Sequence, residues 1–130
     1  MHDLGLLIGR LALTPMFLWG GWGKLNAIAG TTSYFTNLRI PMPGVAVYAS
    51  ILAEIGLPLL IILGLHTRLA AVGLLVFTLA ATWFGHPFWT MEGAAAATNQ
   101  ILALKNLAIA GGLLILACAG GGRFALRPGT

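Results

Sequence analysis

The chain has 130 residues, of which 58% are hydrophobic and only 8% charged, with a formal net charge of +4. Soluble domains carry about 25% charged residues, so this composition excludes an ordinary soluble globular protein and places the chain in a lipid bilayer. The basic residues stand singly beside apolar runs, a pattern of topology signals and headgroup contacts rather than of a nucleic-acid patch, and a single cysteine, Cys118, excludes an intrachain disulfide or CxxC couple.

In chain order, the first span is predicted over 4–22, as a retained helix and not a signal peptide, because MHDLGLLIGRL has no basic leader region. Arg10 lies about two turns inside it, within reach of the headgroups by snorkelling. Pro15 is expected to kink this helix, because it removes the hydrogen bond normally made to the Leu11 carbonyl. Trp19, Trp22 and Lys24 mark the exit at the membrane surface. Between Leu25 and Gly44 the sequence is too short and too polar to span. TTSYFTNLRI predicts a short interfacial helix there, capped by Thr31 or Thr32, with Tyr34, Phe35 and Leu38 on one side, and stopped by Pro41, Pro43 and Gly44.

The second span, 45–63, carries Glu54 in mid-membrane and a small-residue stripe of Ala46, Ala49, Ala53 and Gly56 suited to close packing. Pro58, four residues on, frees the Glu54 carbonyl and places irregular backbone beside the carboxylate, at a depth where protein or a cavity must cover it. Gly64–Arg68 is a tight turn into the third span, 68–85, along which Thr78, Thr82 and His86 form a polar line to the surface. The segment His86–Gln100 is expected to be a loop. The fourth span, 101–119, begins one turn before Lys105 and Asn106 and ends at Gly120–Gly122, followed by a basic tail with Arg123 and Arg127. The predicted fold class is therefore an all-α, integral-membrane antiparallel four-helix bundle, one domain over residues 1–130, with a short interfacial helix between the first two spans. The distribution of Lys and Arg favours cytoplasmic termini, in the inner (plasma) membrane of a bacterium.

Glu54 is the residue around which function is sought. A carboxylate at this depth costs about 2.5–3.5 kcal/mol on insertion scales unless something compensates. Three roles are open to it: a proton carrier in catalysis, an acceptor for a quinone-like ligand, or one half of a structural ion pair with Lys105 or Lys24. Lys24, His86, Lys105, Asn106 and Arg10 are the candidate cofactor-binding residues, because the carbonyl oxygens of a quinone need donors of these types. Arg10, Lys24 and Lys105 also read as snorkelling anchors, Asn106 as interhelical glue, and His86 as an interfacial histidine. No metal site and no self-contained catalytic motif is read. The partners expected are the lipid bilayer and either a protein subunit or further copies of the chain.

Three stretches carry a resemblance: RLALTPMFLWGGWGKL from Arg10, EIGLPLLIILGLHTRLAA from Glu54, and KNLAIAGGLLILACAGGGRFAL from Lys105. In this order they resemble the DoxX family of small four-helix membrane proteins and cover roughly half of the chain. The resemblance implies the four-helix fold and a loose link to redox work. Relatives resemble membrane subunits of thiosulfate:quinone oxidoreductase, or partners of enzymes that handle oxidative and thiol stress. By resemblance the polar positions carried over are Arg10, Lys24, Glu54, Arg68, His86, Lys105 and Asn106. The chain departs from redox four-helix proteins with cysteine pairs, having Cys118 alone. Two functions follow as expectations: a quinone-associated redox subunit working with a partner oxidoreductase, or a non-catalytic accessory or anchoring subunit.

Overall fold

A computed structural model describes residues 1–130. The chain forms six α-helices and no strand: α1 (His2–Leu13), α2 (Pro15–Leu25), α3 (Ile28–Asn37), α4 (Pro43–Leu63), α5 (Thr67–Gly85) and α6 (Gly93–Ala119). Four spans are long and apolar enough to cross a membrane: α1 with α2, α4, α5 and α6. The 21 residues of α4 reach about 32 Å at 1.5 Å per residue, the thickness of a bilayer core. Large apolar side chains such as Leu52, Leu69, Val76 and Ile115 face outward, as lipid requires.

The first span is two helices rather than one kinked helix. Pro15 takes the first helical position of α2, where its missing N–H costs nothing, and the Thr14 hydroxyl donates to the Leu11 carbonyl at 3.3 Å. The break has a packing consequence. α1 packs on α6 and also meets α4, whereas α2 packs closely on α4 and its backbone does not approach that of α6. The other neighbours are α4 with α5 and α5 with α6, which closes the ring. Its dry centre is formed by Phe17, Ile61, Ala70, Ala71, Leu74, Leu113 and Leu116. In lipid such a centre is held by close packing rather than by escape from water, and the small residues Ala70 and Ala71 let the backbones approach.

Four local expectations are corrected. α3 starts at Ile28 with Ala27 as its cap residue, and Thr32 instead turns its hydroxyl back to the Ile28 carbonyl at 2.7 Å. Pro43 and Gly44 do not stop α3, which ends at Asn37; they open α4, with proline again in the first turn. The segment His86–Gln100 is a loop only as far as a 3₁₀ turn over Phe88–Thr90, after which α6 runs from Gly93. Lys105 and Asn106 consequently stand about three turns inside the last helix instead of one.

At the opposite end of the bundle the C-terminal segment acts as a plate. Gly64, at φ 69°, ends α4 in a Schellman turn, with Leu65 N–H on the Leu60 carbonyl and Gly64 N–H on that of Ile61. The tail docks on this turn: Leu126 N–H donates to the Leu63 carbonyl and Arg127 N–H to that of Gly64, each at 3.1 Å. Arg123 N–H donates to Asp3 Oδ1 of α1 at 3.1 Å. Arg68, in the first turn of α5, donates to the Ala117, Cys118 and Ala119 carbonyls that end α6, where cations complement the helix dipole.

Candidate functional site

Gly20 and Lys24 lie one turn apart on α2 and so share a face. That face meets Glu54 in the middle of α4. Lys24 Nζ stands 2.7 Å from Glu54 Oε2, forming an ion pair. The carboxylate reaches this position because position 20 has no side chain: a Cβ there would lie 2.8 Å from Glu54 Oε1. At Gly21 the approach involves backbone, since a Cβ would stand 2.7 Å from Ile55 Cγ1 and 3.2 Å from the Glu54 carbonyl carbon. The close contact of α2 with α4 thus comes from the glycines of α2. In the small-residue stripe of α4, Ala46 and Ala49 line a cavity instead. Gly21→Ala is expected to force the two helices apart at a cost of about 1–3 kcal/mol, read as a lower midpoint of SDS-induced unfolding, whereas Gly23→Ala, into open space, leaves the midpoint unchanged.

The cavity lies among α2, α3, α4 and α5, with Asn106 reaching it from α6. Its volume is about 620 Å³, within the range of small-molecule sites. Its walls are mostly apolar, with Phe17, Phe77 and Phe84 among them, and α3 contributes Tyr34, Phe35 and Leu38. Its polar side chains are Lys24, Ser50, Glu54, Thr78, His86 and Asn106, with the Tyr34 hydroxyl and the Trp19 indole N–H on lining residues as well. The ion pair is largely out of solvent, with side-chain exposures of 24% for Lys24 and 10% for Glu54. Glu54 Oε1 and Ser50 Oγ make no hydrogen bond within the protein, so both are open to a ligand.

Four of the residues expected from the sequence, Lys24, Glu54, His86 and Asn106, are brought to this cavity. Two are not. Lys105 is exposed on the outer face of α6 and does not approach Glu54, so the partner of Glu54 is Lys24. Arg10 is 1% exposed and belongs to the tail plate, where Nη1 donates to the Gly121 carbonyl at 2.9 Å and Nη2 to that of Phe124 at 3.2 Å. Along α5, Thr78 gives its hydroxyl hydrogen to the Leu74 carbonyl and Thr82 to that of Thr78, both at 2.7 Å. Asn106 Nδ2 donates to Thr82 Oγ1 at 3.0 Å. His86 Nδ1 lies 2.9 Å from Asn99 Oδ1.

Two residues at the site escaped the sequence reading. Ser50 precedes Glu54 by four residues, a spacing that puts it on the carboxylate's face and was a usable signal. Asn99 sat in the presumed loop, and only the early start of α6 brings it to His86.

These features define a small, multi-pass helical membrane protein with an ion-paired carboxylate beside a cavity at lipid depth. Residues 5–87, which carry α1 to α5 and the ion pair, match the DoxX family, and the chain belongs to that family. It is 38% identical over 121 residues to the inner membrane protein YphA of Escherichia coli (strain K12), covering 93% of this chain and 86% of that protein. It is 33% identical over 126 residues to the inner membrane protein YqjF of the same strain, covering 97% and 92%. No solved structure matches the chain.

Proposed function

We propose that this protein is a redox-linked subunit of a bacterial inner membrane that holds a quinone-like ligand in the cavity and works with a partner oxidoreductase. The observation that carries this reading is an apolar, aromatic-walled cavity of about 620 Å³ that ends on the Lys24–Glu54 pair. The residues present fit such a ligand. Phenylalanine rings suit a flat headgroup, Lys24 and Ser50 can donate to one of its oxygens, and Glu54 can pass a proton. A bound quinone would supply a carrier of two electrons and two protons, with the electrons drawn from the partner. The relatives' names supply the membrane, and the basic tail plate favours cytoplasmic termini. In this placement α3 lies at the outer interface, its aromatic side covering the cavity.

A second reading rests on the pair itself. A satisfied Lys24–Glu54 contact is sufficient to lock α2 on α4, in which case the protein is a non-catalytic accessory or anchoring subunit. Solvent extraction of protein purified in mild detergent separates the two. Wild type is expected to carry near-stoichiometric quinone and folded Glu54→Gln to carry almost none. Absence of quinone from both, in folded protein, would overturn the redox reading and leave the anchoring one.

A further inference from the structure

The hydrogen-bond network around the cavity fixes which hydrogens its far wall can offer, and the answer is the reverse of what the residue types imply. Asn99 Nδ2 donates to the Ala95 carbonyl of its own helix at 3.0 Å. A carbonyl can only accept, so the amide is held with Oδ1 turned to His86, and Oδ1 can only accept in its turn. The neutral imidazole must therefore carry its proton on Nδ1, toward Asn99. Nε2 is then a bare acceptor, and it makes no hydrogen bond within the protein. The same logic fixes Asn106. The Thr82 hydroxyl hydrogen is committed to the Thr78 carbonyl, so Thr82 Oγ1 accepts from Asn106 Nδ2 and Asn106 Oδ1 is left without a partner.

We infer that the α5–α6 wall of the cavity recognises a hydroxyl rather than a carbonyl, with His86 Nε2 accepting the ligand's O–H, and that Asn99 is the positioning residue that sets this preference through the imidazole tautomer. Lys24 and Ser50, on the other wall, serve an oxygen of either kind. The ligand class is a hydroxylated aromatic headgroup on an apolar tail, a quinol in preference to its quinone. The inference rests on the proposed function for the identity of the cavity's occupant, but the tautomer is independent of it.

Two measurements test it. The chain has three histidines, His2, His66 and His86, so nitrogen NMR of ¹⁵N-histidine-labelled protein in detergent, assigned with His86→Gln, reads the tautomer directly. A proton on Nδ1 of His86 is expected, with a mixture of tautomers in Asn99→Leu; a proton on Nε2 in wild type would overturn the inference. Anaerobic equilibrium dialysis with a short-chain benzoquinol and the matching benzoquinone then reads the preference. The quinol is expected to bind about tenfold more tightly, the worth of one net hydrogen bond. The ratio should fall severalfold in Asn99→Leu, because the tautomer with Nε2–H no longer accepts from the quinol and can donate to the quinone, so quinone affinity is unchanged or slightly higher. Equal binding of both by wild type overturns the hydroxyl preference while the quinone-site reading stands. Binding of neither overturns both.

Discussion

Arg10→Met is expected to lower the thermal unfolding midpoint of the detergent-purified protein by about 10 °C or more. Two charge-assisted hydrogen bonds are lost, to the Gly121 and Phe124 carbonyls, each of a type worth about 1.5–3 kcal/mol. The carbonyls stay behind in a place the side chain had sealed, since a Cβ on Gly64 would lie 2.5 Å from Arg10 Nη1. A total of about 3–5 kcal/mol follows from lost bonds and orphaned acceptors together, which converts to that shift at roughly 3–5 °C per kcal/mol for a chain of this length. Arg10→Lys should fall between, because one ammonium replaces a two-pronged donor. Arg123→Met, whose side chain only lies over the Phe124 ring, should move the midpoint by about 1–2 °C. Equal shifts for Arg10→Met and Arg123→Met would show that the tail is not held by Arg10.

The second large effect is an asymmetry across the ion pair. Lys24→Met removes the only counter-charge of a carboxylate that is 7% exposed in mid-span, and breaking a buried pair from this side costs about 3–5 kcal/mol. Glu54→Gln leaves a lysine in the last turn of α2, where its flexible stem can carry the ammonium to the membrane surface, so the expected cost is about 1 kcal/mol. The double variant Lys24→Met/Glu54→Gln should recover most of the loss of Lys24→Met. SDS-induced unfolding of the four proteins closes this cycle. Equal single costs that simply add would mean that the two side chains do not hold each other.

The spans were legible because a bilayer admits almost no other reading of long apolar runs, and Glu54 was legible because its cost has to be met. Its partner was not decided. Lys24 and Lys105 have the same chemistry, and Lys105 and Asn106 are adjacent on one helix, about 100° apart, so only one of them can face the cavity; the register that chooses Asn106 is tertiary. The start of α6 was hidden because Gly93–Gln100 is rich in alanine, a strong helix former that contributes little to a membrane-span signal. Arg10 was read by its depth in the span, whereas its role depends on carbonyls far away in sequence. Asn99 matters through a hydrogen bond to one neighbour and a second to its own backbone, neither of which leaves a pattern in composition or spacing.

The plate at the end of the bundle has a consequence for biosynthesis. Arg10 enters the membrane with the first helix, but its acceptors lie 111 and 114 residues later in the chain. At roughly 5–20 residues per second, about ten seconds separate the arginine from the carbonyls that satisfy it. During that interval its charge is held by headgroups or water, and the first span is inserted without being locked. Arg68 waits in the same way for the end of α6. The helices can therefore enter the bilayer one by one, but Arg10 finds its acceptors only after residues 121 and 124 have been made, so this end of the bundle is sealed only after all four spans are in place.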